Sequence, residues 1–145
     1  MSTKELQEKI IANMRRWQKV EDASVVQTSE IISSTQNPVI RMVMEIIRAD
    51  SERHYRVQEL IARSLESETI ALSPEELAEV WDMIEKHIDM EKKAEAMAEE
   101  SLAALKGKKM LIQEYLLNYL ILDEAKHDQL LENLEKIKKG MYPYA

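Results

Sequence analysis

Helix-breaking residues are scarce in this sequence, and they stand only where helices would begin or end. The 145 residues contain two glycines and three prolines. A proline inside a helix costs about 3 kcal/mol and a glycine about 1 kcal/mol relative to alanine. The long segments between these residues are rich in the Leu, Ala, Glu and Lys that favour helices. We predict an all-α fold with four long helices.

Capping signals set the limits of the four helices. The segments Ser2 to Glu5 and Ser73 to Glu76 each have the spacing of a capping box, and Asn37-Pro38 pairs an N-cap residue with the proline favoured at the first helical position. Gly107 and Gly140 suit the left-handed residue that follows a helix. The length predicts one domain, residues 1–145. Its predicted helices cover about residues 3–34, 38–65, 74–105 and 108–139.

Charge and apolar content exclude two classes of partner. The formal net charge is -7, and an acidic surface repels the phosphate backbone of nucleic acids. The longest apolar cluster, residues 116–122, is far shorter than the roughly 20 residues that span a bilayer. The N-terminal segment has no apolar signal core, and the absence of cysteine excludes disulfides and thiolate sites. We expect a cytoplasmic protein that binds neither nucleic acid nor membrane.

Each predicted helix carries an apolar stripe at helical spacing, and polar residues interrupt every stripe near its middle. The stripes are Leu6, Ile10, Met14, Trp17, Val25 and Ile32; Ile40, Val43, Ile47, Val57 and Ile61; Leu77, Val80, Ile84, Ala94, Ala98 and Leu102; and Met110, Leu117, Leu120, Leu131, Leu134 and Ile137. The interrupting residues, which include all three histidines, are Glu21, Asp50 or Ser51, His54, His87, Glu91, Glu124 and His127. Because an unpaired buried carboxylate is costly and a bound cation removes that cost, this pattern favours a metal site.

The interrupting residues lie at matched depths on either side of the predicted turns. Glu91 precedes Gly107 by 16 positions and Glu124 follows it by 17, so an antiparallel hairpin places the two carboxylates face to face. Glu21 and His54 are related in the same way about the turn between the first two helices. A hydrogen-bonded core histidine or a buried ion pair is the alternative for each residue taken alone. The shared depth favours metal ligation.

The fourth helix carries Glu124-Ala125-Lys126-His127, a spacing that puts two ligands on one helix face. A glutamate on the first helix of each hairpin, with Glu-x-x-His on the second, resembles the ferritin-like di-iron carboxylate superfamily, which includes ferritins, bacterioferritins and rubrerythrins. The resemblance implies a four-helix bundle of two antiparallel hairpins that holds one or two iron ions. The implied metal ligands are Glu21, His54, Glu91, Glu124 and His127, and Asp123 resembles the acid that hydrogen-bonds a ligand histidine.

One position departs from the superfamily pattern. Ser51 stands where the superfamily has the glutamate of the second helix, and a hydroxyl is a poor iron ligand. Asp50 is a candidate to supply the missing oxygen, His87 is a candidate to add a nitrogen, and Glu95 is a spare carboxylate. With these residues the centre is asymmetric, mononuclear, or suited to manganese or zinc instead of iron.

The connection between the second and third helices is short. From Glu66 to Ser73 it spans at most roughly 27 Å, whereas a crossover along such a bundle covers about 40 Å. Three arrangements are compatible with this length: a second helix that unwinds early, a plain up-down-up-down bundle, and hairpins exchanged between two chains.

Superfamily members oxidise ferrous iron, reduce peroxide or activate oxygen at this site, so the resemblance implies an oxidoreductase of the ferroxidase or peroxidase type. The chain lacks a cysteine-rich iron module, and a peroxide-reducing cycle would therefore need a separate electron donor. Residues 111–122 are apolar on more than one face, which favours a homodimer. The alternative is a non-catalytic helical bundle whose degenerate or structural metal site serves oligomerisation or protein interaction, and Ser51 is its main support.

Overall fold

The computed structural model describes residues 1–140, and every regular element in this range is an α-helix. The helices are α1 (Thr3–Ser34), α2 (Pro38–Glu66), α3 (Pro74–Ala104) and α4 (Leu111–Lys138). The predicted all-α class is confirmed for this range. α4 begins three residues later than predicted, because the turn after α3 extends to the N-cap residue Met110. The predicted domain also included residues 141–145, which lie outside the described residues.

Local hydrogen bonds and backbone angles explain where the helices begin and end. Both predicted capping boxes, Ser2 to Glu5 and Ser73 to Glu76, are formed. The Asn37 side chain accepts hydrogen bonds from two backbone N–H groups at the start of α2. Gly107 and Gly140 have φ angles of 77° and 66°, a conformation in which a Cβ atom is unfavourable. The predicted start and stop signals are therefore confirmed.

The chain divides into two compact units, each containing a pair of helices. The first unit is Met1–Ile70 and contains hairpin 1, formed by α1 and α2; the second begins at Ala71 and contains hairpin 2, formed by α3 and α4. In hairpin 1, the Arg41 guanidinium at the start of α2 donates a 2.9 Å hydrogen bond to the backbone carbonyl oxygen of Ile32 near the end of α1. In hairpin 2, Lys138 Nζ near the end of α4 lies 5.2 Å from the ring of Trp81 near the start of α3. The predicted antiparallel hairpins are confirmed, and the single-domain bundle stays a prediction.

Polar side chains occupy much of the contact between α1 and α2. The buried residues of hairpin 1 recur at spacings of three, four and seven, as expected where two helices pack along their length. They are Gln18, Glu21, Thr28 and Ile32 on α1, with Ser51, Gln58 and Ala62 on α2. Hairpin 1 is therefore held by hydrogen-bonding groups as well as by apolar contacts.

Much of the apolar stripe predicted for hairpin 1 lies outside this contact. Trp17 is 52% exposed, although its neighbour Gln18 is buried. Successive helical residues differ in direction by about 100°, so Trp17 is exposed beside the buried Gln18, although Glu21 and Ile32 from the same stripe pattern are buried. Several stripe residues are exposed in hairpin 1, namely Leu6, Trp17, Ile40, Ile47, Val57 and Ile61, and their burial in the predicted four-helix bundle stays a prediction.

Among the described residues, the buried side chains of hairpin 2 are both apolar. Leu77 and Ala98 are buried, and Trp81 is half-buried beside the end of α4. Other apolar residues of hairpin 2 are exposed; they include the stripe residues Val80 and Leu120, and the regularly spaced Met83, Met90 and Met97, which lie outside the predicted stripe. Within residues 1–140, no helix has an apolar stretch long enough to cross a membrane.

Candidate metal centre

Glu91, Glu124 and His127 converge near the middle of hairpin 2. α4 supplies Glu124 and His127 from one face, because residues three positions apart lie on the same side of a helix. α3 supplies Glu91 from across the hairpin. One ligand atom from each residue lies within 4.8 Å of the other two, and all three residues are half-buried. The predicted proximity of Glu91 and Glu124 is confirmed.

His127 lies among three carboxylates. Its Nδ1 is 3.3 Å from Glu91 Oε2 and 3.9 Å from Glu124 Oε2. Its Nε2 is 3.6 Å from Asp123 Oδ2, so Asp123 has the position that the resemblance implied for an acid beside a ligand histidine. Asp123 Oδ1 also pairs with Lys126 Nζ at 2.8 Å. Carboxylates near both ring nitrogens favour one orientation of the imidazole.

His87 contacts the same glutamate from its own helix. Its Nε2 lies 2.8 Å from Glu91 Oε1, whereas His127 faces Glu91 Oε2. The side chain of His87 is 56% exposed. It helps to line an open pocket of about 230 Å³ together with Glu91, His127, Leu130 and Leu131. The structure thus brings His87 to the cluster as a neighbour of Glu91.

The two glutamates of the cluster have shifted acidities. Interaction with the Glu124 carboxyl, and then with His127 and His87, lowers the pKa of Glu91. The same carboxyl interaction, reinforced by burial, raises the pKa of Glu124. Glu124 Oε2 is also buried without a hydrogen-bond partner in the described structure. A divalent cation would satisfy this oxygen and remove the repulsion between the carboxylates.

A second pair of carboxylates lies next to the first. Interaction with Asp128 raises the pKa of Glu95. Glu95 stands one helical turn after Glu91, and Asp128 stands one turn after Glu124. Glu95 is the spare carboxylate of the sequence prediction, whereas Asp128 was not predicted, although its spacing of four from Glu124 was an available signal. The two pairs concentrate negative charge at one level of hairpin 2.

Hairpin 1 joins Glu21 to His54 and to a residue that the sequence analysis missed. His54 Nδ1 lies 3.5 Å from Glu21 Oε1, and Gln58 Nε2 donates a 3.3 Å hydrogen bond to the same oxygen. Gln58 stands one turn after His54, which was the available signal. The predicted proximity of Glu21 and His54 is therefore confirmed, with an amide added to the pair.

Ser51 stands in place of the superfamily glutamate, and Asp50 was the candidate to replace it. Both residues make other contacts. Ser51 is buried and donates a 2.8 Å hydrogen bond to Ser24 Oγ. Asp50 pairs with Arg53 at 3.2 Å. Among the described residues, Asp50 does not form a compact ligand cluster with Glu21 and His54. Ser51 therefore serves the helix contact, and Asp50 does not replace the missing carboxylate.

Comparison of the chain with protein-family models, curated proteins and solved structures finds no match. The chemistry of the donor groups is therefore the basis for a functional assignment. Two carboxylates and one imidazole form a mixed oxygen and nitrogen donor set, which suits iron, manganese and zinc. With the orphaned oxygen of Glu124, these residues fit a divalent transition metal.

Proposed function

We propose that this chain is a metal-binding protein of the ferritin-like type, in which Glu91, Glu124 and His127 hold a divalent metal ion, with iron as the first candidate. The observation that carries the proposal is the convergence of these three ligand groups within 4.8 Å. The Glu-x-x-His turn of α4 and the facing glutamate of α3 supply it, in keeping with the resemblance. Manganese and zinc bind the same donor types and are the alternative ions.

The concentration of carboxylates supports the binding of a cation at this place. The carboxylates of this level are Glu91, Glu95, Asp123, Glu124 and Asp128. The interaction of the two carboxyl groups lowers the pKa of Glu91 and raises that of Glu124, so a proton that binds the metal-free pair is favoured at Glu124. A divalent ion would compete with protons for these carboxylates, so metal affinity should fall as the pH is lowered.

Iron in this site would supply redox chemistry with oxygen or peroxide. The residues of the chain would orient the ligands and admit small molecules. His87 bonds Glu91 Oε1 and leaves Oε2 directed toward His127, and Asp123 lies at the other nitrogen of that imidazole. The open pocket beside Glu91 gives access from solvent. Oxidation of ferrous iron, or reduction of peroxide with a separate electron donor, is the proposed activity.

A non-catalytic metal site is the second candidate function. The observation that favours it is the Ser51 hydrogen bond to Ser24, which uses for helix packing the position where the superfamily has a metal-binding glutamate. A site without that carboxylate would serve to hold a structural ion. Metal content without oxygen consumption would support this candidate over the oxidoreductase.

Exposed apolar residues in the first half of α4 support a homodimer as part of the proposal. A cytoplasmic location is also proposed, in keeping with the finding that no helix of residues 1–140 could cross a membrane. Leu111 is 80% exposed, and Ile112 and Leu122 are also exposed. Apolar surface of this kind commonly marks a protein interface. Replacing Leu111 and Leu122 by glutamate should shift the sedimentation coefficient of a wild-type dimer toward that of a monomer. A wild-type chain that sediments as a monomer at every concentration would contradict the homodimer.

Metal content after aerobic purification, followed by ferrous titration with oxygen-consumption and absorbance measurements, tests the proposed function. His127→Ala should lose both the bound metal and the oxygen consumption. Glu132→Gln is a matched control, because Glu132 is an exposed acid of α4 that lies 3.9 Å from Lys136 Nζ. This variant should retain both properties. Wild-type protein that binds no metal and consumes no more oxygen than His127→Ala would refute the oxidoreductase.

A further inference from the structure

Two methionines stand on either side of His87 along the exposed face of α3. Met83 comes four positions before His87, and Met90 comes three positions after it. Successive residues of a helix turn by about 100°, so the three side chains leave α3 within about 60° of one another. Residues at these spacings are neighbours, with Cβ atoms about 5–6 Å apart. All three side chains are more than half exposed. Both thioethers can therefore approach the imidazole.

The orientation of His87 leaves one nitrogen of its ring available. The Nε2 atom lies 2.8 Å from Glu91 Oε1. Interaction with Glu124, His127 and His87 lowers the pKa of Glu91, so its carboxylate is ionised at neutral pH and can only accept a hydrogen bond. The proton of the neutral imidazole is therefore on Nε2, and Nδ1 carries a free electron pair. Within residues 1–140, Nδ1 has no hydrogen-bond partner.

A carboxylate that accepts the N–H of an imidazole is the usual companion of a histidine that binds metal through its other nitrogen. We propose that Met83, His87 and Met90 form a binding site for a soft monovalent cation, namely copper(I). Its three ligands are the thioether sulfurs of Met83 and Met90 and the Nδ1 atom of His87. Glu91 orients the imidazole of this site through Nε2.

The donor set indicates the class of cation. Thioether sulfur is a soft ligand that selects copper(I), and imidazole also binds copper. Carboxylates suit harder ions such as manganese, so the cluster of Glu91, Glu124 and His127 prefers other metals. The methionine site therefore does not depend on the function proposed for that cluster. Its exposure leaves it open to ions from solvent.

Met97 continues the same row of α3 but lies outside the site. It is 62% exposed, close to the 65% of Met83 and the 64% of Met90. The helical rise of about 1.5 Å per residue places Met97 about 15 Å from His87 along the axis of α3. An ion bound to His87 is beyond its reach. Because it matches the two proposed ligands in residue type, exposure and helix, Met97 is the control position.

Anaerobic titration of the full chain with copper(I), in competition with a chromogenic chelator, tests the site. Wild type should bind one equivalent. Met83→Leu/Met90→Leu should weaken this binding by about 100-fold or more, because two ligands are lost. Met97→Leu should leave the affinity within about a factor of three. In NMR spectra, copper(I) should shift the methyl signals of Met83 and Met90 and leave that of Met97 in place.

The outcomes separate this site from the proposed function. Glu124→Gln/His127→Ala should lose divalent-metal binding and keep copper(I) binding. If copper(I) binding disappears in this variant as well, the ion lies in the other cluster and the methionine site is overturned. Absence of copper(I) binding in wild type, or equal copper(I) affinities for Met83→Leu/Met90→Leu and Met97→Leu, would also overturn it.

Leucine preserves the size and apolar character of methionine, and circular dichroism checks the fold of each variant. If Met83→Leu/Met90→Leu fails to fold, His87→Gln provides a second measurement. Its copper(I) affinity should fall about tenfold or more, because the imidazole ligand is lost. An unchanged affinity in this variant would overturn the site.

Discussion

Both hairpins place a glutamate of their first helix beside a histidine of their second, but the surroundings of the two glutamates differ. In hairpin 1, Glu21 receives a hydrogen bond from the neutral amide of Gln58. In hairpin 2, Glu91 faces a second carboxyl group, that of Glu124, and the pKa values of the two shift in opposite directions. The first arrangement carries one negative charge, and the second concentrates several.

The difference originates at one position on each second helix. α4 has Glu124 three residues before His127, whereas α2 has Ser51 three residues before His54. Ser51 is occupied by its bond to Ser24, so no second carboxylate opposes Glu21. A shared spacing along the chain therefore leads to a weakly charged polar contact in one hairpin and to a strongly charged cluster in the other.

The largest expected effect is on metal affinity. Glu124→Gln/His127→Ala should weaken the tightest divalent-metal binding of the full chain by about 100-fold or more, because it removes two ligands. Glu21→Gln/His54→Ala is the corresponding change in hairpin 1 and should leave that tightest binding within about a factor of three. Competition with a chromogenic chelator measures both. Equal losses of metal affinity in the two double variants would contradict the proposed difference between the hairpins.

Thermal unfolding should show which hairpin holds the metal ion that stabilises the fold. At a free metal concentration 100 times the dissociation constant, binding contributes about 2.7 kcal/mol. For a chain of this size we expect the midpoint to rise by about 5–10 °C. His127→Ala should lose this increase, whereas Ser51→Ala should keep it. An increase that survives in His127→Ala would place the tight site elsewhere.

Metal-free protein should respond differently to the neutralisation of Glu124 and of Glu21. The pKa of Glu124 is raised, so its ionised form is disfavoured in the folded state and opposes folding as the pH rises above the ordinary value of 4.5. Glu124→Gln should therefore raise the midpoint by about 3 °C at neutral pH, with a smaller gain near pH 4.5. Glu21→Gln should give no gain, because Gln58 loses its carboxylate acceptor. Calorimetric scans in a chelator at several pH values compare the variants.

The smallest effect concerns an acid of hairpin 1 with the opposite shift. Hydrogen bonds from Gln18 and Arg15 lower the pKa of Glu59 below 4.5. This stabilisation is present above pH 4.5 and is lost as the pH falls through the lower folded value. Wild type should lose about 1 °C more than Glu59→Gln when the pH is lowered to about 3, since exposed ion pairs contribute little. Parallel pH curves for the two proteins would contradict the assignment.

Local signals account for the parts of the site that the sequence predicted. The distance of Glu91 and Glu124 from Gly107 fixed their proximity once an antiparallel hairpin was assumed. The same reasoning paired Glu21 with His54. It did not identify Asp128 or Gln58, because a polar residue one turn from a ligand is equally compatible with a solvent-facing position.

The sequence by itself determined the four helices, their caps and the turns of the two hairpins, because these depend on residues within a few positions of each other. The tertiary structure decided which face of each helix is buried. Trp17 and Gln18 are adjacent in the chain, yet Gln18 is buried against α2 and Trp17 is 52% exposed. The physical reason is that several faces of a helix carry apolar residues, and only the contacts between helices determine which of these faces is buried. The same contacts between helices bring Glu21 close to Gln58 and Glu91 close to Glu124.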